Sequence, residues 1–230
     1  MNIPNHVAVV IDGNRRWSEL HGKPSWEGHE RGSLTFDKAI QWMVDLGIPQ
    51  VSVYALSTEN LNRSKKELEK LYDVMCATLK RWLNKEDFFK KYEIRVNFLG
   101  DLKKLPMRML KLMERLMKMT SKYKKKIVNI LLAYGAKLEI TNAVKVLLKK
   151  VLMSGRIQIT QKAIEKSLMV NSPVNLVIRT GGRNRLSNFL LWQAAYADIY
   201  TTKTLWPDFT KRELIKAITW WNSIQKNYGL

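Results

Sequence analysis

HVAVVIDGNRRW, residues 6–17, changes character halfway. From His6 to Ile11 nearly every position is apolar or β-branched, without alternation, which is how a strand covered on both faces reads. From Asp12 to Trp17 the chain turns polar and carries a carboxylate, a glycine and two arginines. A buried strand that opens onto a charged turn is the signature of a sheet whose carboxyl edge holds a ligand.

Four further runs share the continuous apolar pattern: VSVYAL (51–56), IRVNFL (94–99), IVNILL (127–132) and NLVIRT (175–180). Helical spacing fills the intervals, over residues 29–46, 65–90, 106–121, 137–152 and 211–226. Strand and helix alternate, so the expected fold is α/β, with a central, mostly parallel sheet flanked by helices on both faces. One domain over residues 1–230 is expected, with no repeat, low-complexity tract or linker.

The chain carries 40 Lys+Arg against 20 Asp+Glu, a formal charge of +20 with a pI near 10.0, and this calls for an anionic partner. Nucleic acid, an anionic membrane face and phosphorylated small molecules all satisfy bulk charge. The densest run, KYKKK at 122–126, reads as a solvated turn. Cys76 is the sole cysteine, which removes a disulfide framework and a cysteine-based zinc site and fits a cytoplasmic location. No secretory signal is expected at MNIPNHVAVVID, and the apolar runs fall short of the roughly 20 residues of a membrane span.

Three strand ends collect the polar chemistry: DGNRRW (12–17), STENLNRS (57–64) and RTGGRNRLSN (179–188). In the first, Asp12 suits a hard cation, Gly13 lets the backbone approach an oxyanion, and Arg15 and Arg16 present forked donors that match phosphate. A tight turn capped by Asp12 and Asn14, with solvated arginines, fits that segment equally well. The third segment repeats the theme with Arg179, Arg183, Arg185 and the hydroxyls of Thr180 and Ser187. There is no GxxxxGK(S/T) loop, no GxGxxG fingerprint and no GxSxG elbow, and His6, His21 and His29 lack metal-ligand spacing, so nucleotide and hydrolase readings lose support.

These segments, with GHERG (28–32), FLGD (98–101), NLVIRTGGRNRLSNFLLWQAAYADIY (175–200) and LWPDF (205–209), resemble the cis-prenyltransferase family along nearly the whole chain. The resemblance implies a magnesium-dependent enzyme that condenses isopentenyl diphosphate with an allylic prenyl diphosphate in cis geometry and releases diphosphate. Asp12 would hold Mg2+, with Asp198 matching a family glutamate that completes the metal site. Gly13, Asn14, Arg15, Arg16 and His29 would bind the allylic diphosphate, with Trp17 flanking it. Ser57, Thr58, Glu59, Asn60 and Arg63 would form the mobile loop, Asn60 assisting proton removal. Arg179, Arg185, Leu186 and Ser187 would bind isopentenyl diphosphate. The family also implies a homodimer and an apolar tunnel for the growing chain, opening at the strand carboxyl ends. Leu71, Met75 and Leu79 serve such a tunnel or an ordinary core equally well.

Several positions depart from the family pattern. Ser25 stands where an arginine is usual, Leu61 replaces an aromatic, Ser64 a proline and Arg183 an acidic residue; NYGGR becomes Ala133 to Lys137, and Asn227, Tyr228 and Gly229 replace a terminal Arg-x-Gly. Bulky Phe36, Leu131 and Leu132 point to a product shorter than undecaprenyl. Irregular coupling of two allylic diphosphates is the alternative chemistry. A non-catalytic subunit would have lost Asp12, Arg16, Arg179 and Arg185, all present here, and a nucleic-acid-binding module rests on charge alone, so no nucleic-acid partner is expected. Basic surface beside an apolar tunnel points to peripheral association with an anionic membrane.

Overall fold

The structure, a computed structural model, describes residues 2–154 and 159–225. Six strands form its sheet: β1 (His6–Val10), β2 (Gln50–Tyr54), β3 (Ile94–Leu99), β4 (Lys126–Leu131), β5 (Leu176–Arg179) and β6 (Asp198–Thr201). Every pairing is parallel, in the order β3-β4-β2-β1-β5-β6, so β1 lies inside the sheet with β2 and β5 on either side. The five apolar runs are the first five strands. The sixth, DIYT, is a half-exposed edge strand of four residues, too short and too polar to stand out by composition.

Among the described residues eight helices accompany the strands: α1 (Asn14–Leu20), α2 (Ser25–Asp45), α3 (Lys65–Leu83), α4 (Glu86–Tyr92), α5 (Met107–Thr120), α6 (Ala136–Ser154), α7 (Gln161–Ser167) and α8 (Lys211–Ser223). The continuous helix expected over 65–90 is two, because Asn84 and Lys85 leave helical geometry and α4 restarts with Glu86 and Asp87 in its first turn. Of the two readings of the segment after Asp12, the tight turn gives way to a helix that starts at Asn14.

The pleat of β1 explains why the strands read as unbroken apolar runs. Val7 and Val9 join one core with Phe36, Ile40 and Met43 of α2, Leu71, Leu79 and Trp82 of α3, and Met109, Met113 and Leu116 of α5. Ala8 and Val10 point to the opposite face, against Ala136, Val170, Val174, Phe189 and Leu190. Each large aliphatic or aromatic side chain buried this way contributes about 1.5–3 kcal/mol. A buried polar ladder interrupts the second face: His6 Nε2 lies 2.8 Å from Ser52 Oγ, Asn129 Nδ2 donates to Ser52 at 3.1 Å, and Asn97 Nδ2 to Asn129 at 2.9 Å. His6 is thereby a structural residue.

α1 lies across α2 at two glycines. Gly28 N donates to Ser18 Oγ at 2.7 Å, and Gly32 lies beneath Asn14. This close packing fixes α1, and the polar turn before it, against the carboxyl edge of the sheet.

Candidate active site

Gly13 begins the site with φ 117, a left-handed conformation, and a Cβ there would lie 2.9 to 3.0 Å from Leu205 atoms, so glycine is required twice over. Its turn points the Asp12 carboxylate between two arginines. Arg16 donates to Oδ1 at 3.0 Å and Arg179 to Oδ2 at 2.9 Å. The Asp12 carbonyl is held by Thr180 Oγ1 at 2.7 Å and by Trp206 N at 3.1 Å. Asp12 is therefore the joint between the first and third polar segments.

Arg179 ends β5 and is buried, with its Nε lacking a partner. Its Nη1 donates to the Arg185 carbonyl and, at 2.8 Å, to Ser187 Oγ, which folds the 180–188 loop around the guanidinium. Arg16 crosses the loop to donate to the Gly181 carbonyl at 2.6 Å, and a Cβ on Gly181 would lie 2.4 Å from the Arg16 guanidinium. The Gly-Gly turn is thus the seat of Arg16.

The second segment closes the other side. Ser57 N donates to Asn60 Oδ1 at 3.2 Å while Asn60 N donates to Ser57 Oγ at 3.1 Å, a reciprocal cap on the 3-10 turn Glu59–Asn62. Thr58 N is tied to the Tyr134 carbonyl at 2.9 Å, and Glu59 accepts from Asn188 Nδ2 at 3.1 Å. Burial raises the Glu59 pKa, but hydrogen bonds from its own backbone, Ser57, Asn188 and Thr58 outweigh it and hold the carboxyl below its ordinary value.

A cavity of about 870 Å³ lies over these groups, lined by Asp12 to Arg16, His29, Ser57, Glu59, Asn60, Arg63, Arg179 and Ser187 among others. A smaller, apolar cavity of about 90 Å³ adjoins it and shares Ile11, Asn14, His29, Ala55 and Leu71 as wall. His29 Nε2 is buried without a partner. Burial above all, then the charges of Arg63 and Arg15, lowers the His29 pKa to about 4, so its ring is neutral at pH 7. Burial likewise lowers His6 to about 4, against two backbone hydrogen bonds that raise it.

Both histidines therefore bind protons in the unfolded chain at a pH where the folded chain does not. Stability should be full above about pH 6.5 and fall as pH drops toward 4, by about 2 kcal/mol per histidine at pH 5. Urea unfolding at pH 8 and pH 5 measures it.

Not every expected residue joins the site. Trp17 does not flank the cavity: its Nε1 donates to Asp208 at 2.9 Å and its ring stacks on His21 at 4.1 Å. Arg185 is exposed and contributes its carbonyl rather than its guanidinium, and neither it, Leu186 nor Thr58 lines the cavity. Arg183 is also exposed and off the cavity. Asp198 opens β6 opposite Leu176, which is level with Val7, three residues or about 10 Å of strand below the Val10 level at which the site begins. Within one chain Asp198 and Asp12 do not meet. Leu131 packs on the far face of the sheet, whereas Phe36 and Leu132 line the apolar cavity. Asn227, Tyr228 and Gly229 lie outside the described residues.

Conversely, Tyr54 lines the cavity and Glu67 pairs with Arg15 and Arg63, although neither was singled out from sequence, and Lys137, named there only as a departure from the family pattern, lines the cavity too. Glu67 had a visible signal, the Ser64-x-x-Glu67 capping pattern.

Among the described residues no group of three or more His, Cys, Asp or Glu side chains is placed to hold a metal. Asp12, a carboxylate on the cavity without thiolate or imidazole clusters around it, is the donor type that suits Mg2+, which usually takes one or two carboxylates and completes its shell with water and substrate phosphate.

The Prenyltransf family model, that of undecaprenyl diphosphate synthase, matches residues 10–229. The chain belongs to the cis-prenyltransferase family. It is 37% identical over 232 residues to an isoprenyl transferase of Thermotoga maritima, covering 100% of this chain and 98% of that protein. It is 40% identical over 233 residues to the geranylgeranyl-diphosphate-specific tritrans,polycis-undecaprenyl-diphosphate synthase of Thermococcus kodakarensis, covering 99% and 88%. Among solved structures, the lavandulyl diphosphate synthase of Lavandula x intermedia, crystallised with dimethylallyl diphosphate, matches with a TM-score of 0.93 at 30% identity, covering 99% and 98%. The cis-prenyltransferase fold thus accounts for the parallel sheet and for the position of the arginine-rich cavity at its carboxyl edge.

Proposed function

We propose that this prenyltransferase condenses isopentenyl diphosphate with an allylic diphosphate in cis geometry and releases diphosphate. The observation that carries the reading is the Asp12 carboxylate, bridged between Arg16 and Arg179 at 3.0 and 2.9 Å, on a cationic cavity whose wall is shared with an apolar one. Departure of an allylic diphosphate builds negative charge on the leaving group, and preorganised arginines stabilise it as it develops. Arg15, Arg16 and Arg63 face that group, with neutral His29 beside them. Arg179 and Ser187 face the second diphosphate. Asp12 would hold Mg2+, which supplies Lewis-acid stabilisation of the leaving oxygen when bound. Asn60, fixed by Ser57, would assist proton removal.

The size of the apolar cavity bears on the product. At about 90 Å³ it is smaller than the roughly 150 Å³ cavity that admits benzene, and so has room for about one five-carbon unit beyond the reacting carbons. Phe36, backed by Trp82 in a stack of 5.2 Å, and Leu79, Met109 and Leu132 bound it. The product reading is a short chain, well below undecaprenyl length. Incubation with Mg2+, isopentenyl diphosphate and primers of increasing length, followed by mass spectrometry, should show elongation stopping at such a length. Phe36→Ala should lengthen the product by at least one unit. Wild-type product of undecaprenyl length would refute the short-chain reading, and absence of product from every primer would refute the transferase reading.

The TM-score of 0.93 to lavandulyl diphosphate synthase favours a second reading, irregular coupling of two allylic units. The product's carbon connectivity by NMR separates the two. Homodimerisation is part of the proposal, with Asp198 serving the neighbouring subunit's site, since its own chain places it away from Asp12. No helix of the described residues is long and apolar enough to cross a membrane. Peripheral attachment fits the exposed Lys111, Arg115, Lys118 and Lys122, three or four residues apart along and just beyond α5, and sedimentation with anionic liposomes tests it.

A further inference from the structure

Glu67 lies behind the cationic cavity rather than on it, in the first turn of α3. Its Oε1 is buried and accepts no hydrogen bond, yet it lies 3.4 Å from Arg63 Nη1 and 3.7 Å from Arg15 Nη1. One carboxylate oxygen thus balances two guanidiniums without being bonded to either. Its own backbone is fixed, because Glu67 N donates to Ser64 Oγ at 3.3 Å. Arg15 and Arg63 both line the cavity with His29 and repel each other there. Burial also works against the Arg63 charge, while Glu67 supports it.

Those observations describe a counter-ion held loosely. We propose that Glu67 is a place-holder for the diphosphate: it draws Arg15 and Arg63 toward α3 while the cavity is empty, yields them to an incoming diphosphate, and takes them back as diphosphate leaves. A diphosphate oxygen can accept the hydrogen bonds that Glu67 Oε1 lacks, so it displaces the carboxylate. The returning carboxylate then competes with the diphosphate and speeds its release. Glu67 is a positioning residue in this scheme, since it acts through the two arginines. The proposal rests on reading the cavity as a diphosphate site.

The scheme predicts an unusual sign. Glu67→Gln keeps the shape and the Ser64 cap but removes the competing charge, so inorganic diphosphate should bind about fivefold more tightly in calorimetry. In steady state with both substrates, kcat and the allylic KM should fall together, because release slows while binding tightens. Glu67→Asp keeps the charge and should stay closer to wild type in both measurements. Glu67→Ala is a second neutral variant, expected to follow Glu67→Gln. Unchanged or weaker diphosphate binding in the neutral variants would overturn the proposal by making Glu67 a plain support for the arginines. Failure of both neutral variants to fold, with Glu67→Asp intact, would also overturn it by assigning Glu67 to stability. If the wild-type protein itself fails to bind inorganic diphosphate, the reading of the cavity fails and the Glu67 scheme with it.

Discussion

Asp12→Asn should lower kcat by about a thousandfold, the scale on which removal of a preorganised charge from a reacting centre is felt. The substitution preserves volume and one acceptor oxygen but removes the charge that Arg16 and Arg179 share. The one remaining oxygen cannot serve both guanidiniums, and Arg179, whose side chain is 5% exposed, has otherwise only the Arg185 carbonyl and Ser187, so some stability is lost as well. That loss is expected on the order of 1–3 kcal/mol, because the guanidinium is buried while Asp12 and Arg16 are partly solvated. Circular dichroism separates the two effects: a folded, inactive variant places Asp12 in the chemistry, whereas a folded variant with full activity places it in a turn cap.

Gly28→Ala should damage the protein more than any exposed substitution on α2. A Cβ there would lie 2.0 Å from the Asn14 carbonyl oxygen, 2.9 Å from its carbonyl carbon and 2.5 Å from Ser18 Oγ. The first two are backbone, so α1 has to move, and overpacking of this kind costs about 1–3 kcal/mol or more. Displacement of α1 carries Asn14, Arg15 and Arg16 with it, so activity should fall alongside the urea midpoint. Gly32→Ala is the informative contrast, since its Cβ would meet Asn14 Oδ1 at 2.1 Å and Trp206 Cδ1 at 3.0 Å. Side chains give way more easily than backbone. That variant should lose less stability yet still disturb Asn14, and comparing unfolding midpoints with kcat for the pair checks the distinction.

The parallel sheet was legible because a strand inside it buries both faces, as Val7, Ala8, Val9 and Val10 do on β1. The β6 strand was not, because an edge strand with Ile199 exposed and Asp198 at its start has no such constraint. The α3–α4 break was hidden for a similar reason: Leu83, Phe88 and Phe89 continue the apolar spacing across the turn at Asn84 and Lys85, so periodicity alone runs on.

For the site, the residue types at strand ends located the cavity, and Asp12, Arg16 and Arg179 meet there. Side-chain direction was the missing information. Trp17 lies one residue beyond Arg16 on α1, a rotation of about 100 degrees, and so turns toward Asp208 instead of the cavity. The resemblance assigned Asp198 to the metal site of its own or the neighbouring subunit, and strand register, which sequence does not show, puts Asp198 and Asp12 of one chain at different levels of the sheet. Glu67 escaped because, although Arg63 is only four residues away, Arg15 is distant in the chain and only the folded packing of α1 and α3 brings both guanidiniums to one oxygen.

A crystal structure with dimethylallyl thiolodiphosphate, isopentenyl diphosphate and Mg2+ tests the central claim, that two diphosphates meet across Asp12. The predicted result has the allylic diphosphate on Arg15, Arg16 and Arg63, the isopentenyl diphosphate on Arg179 and Ser187, and the metal on Asp12. Density for both ligands away from this cavity, with Asp12 still paired to Arg16 and Arg179 and no metal beside it, would contradict it.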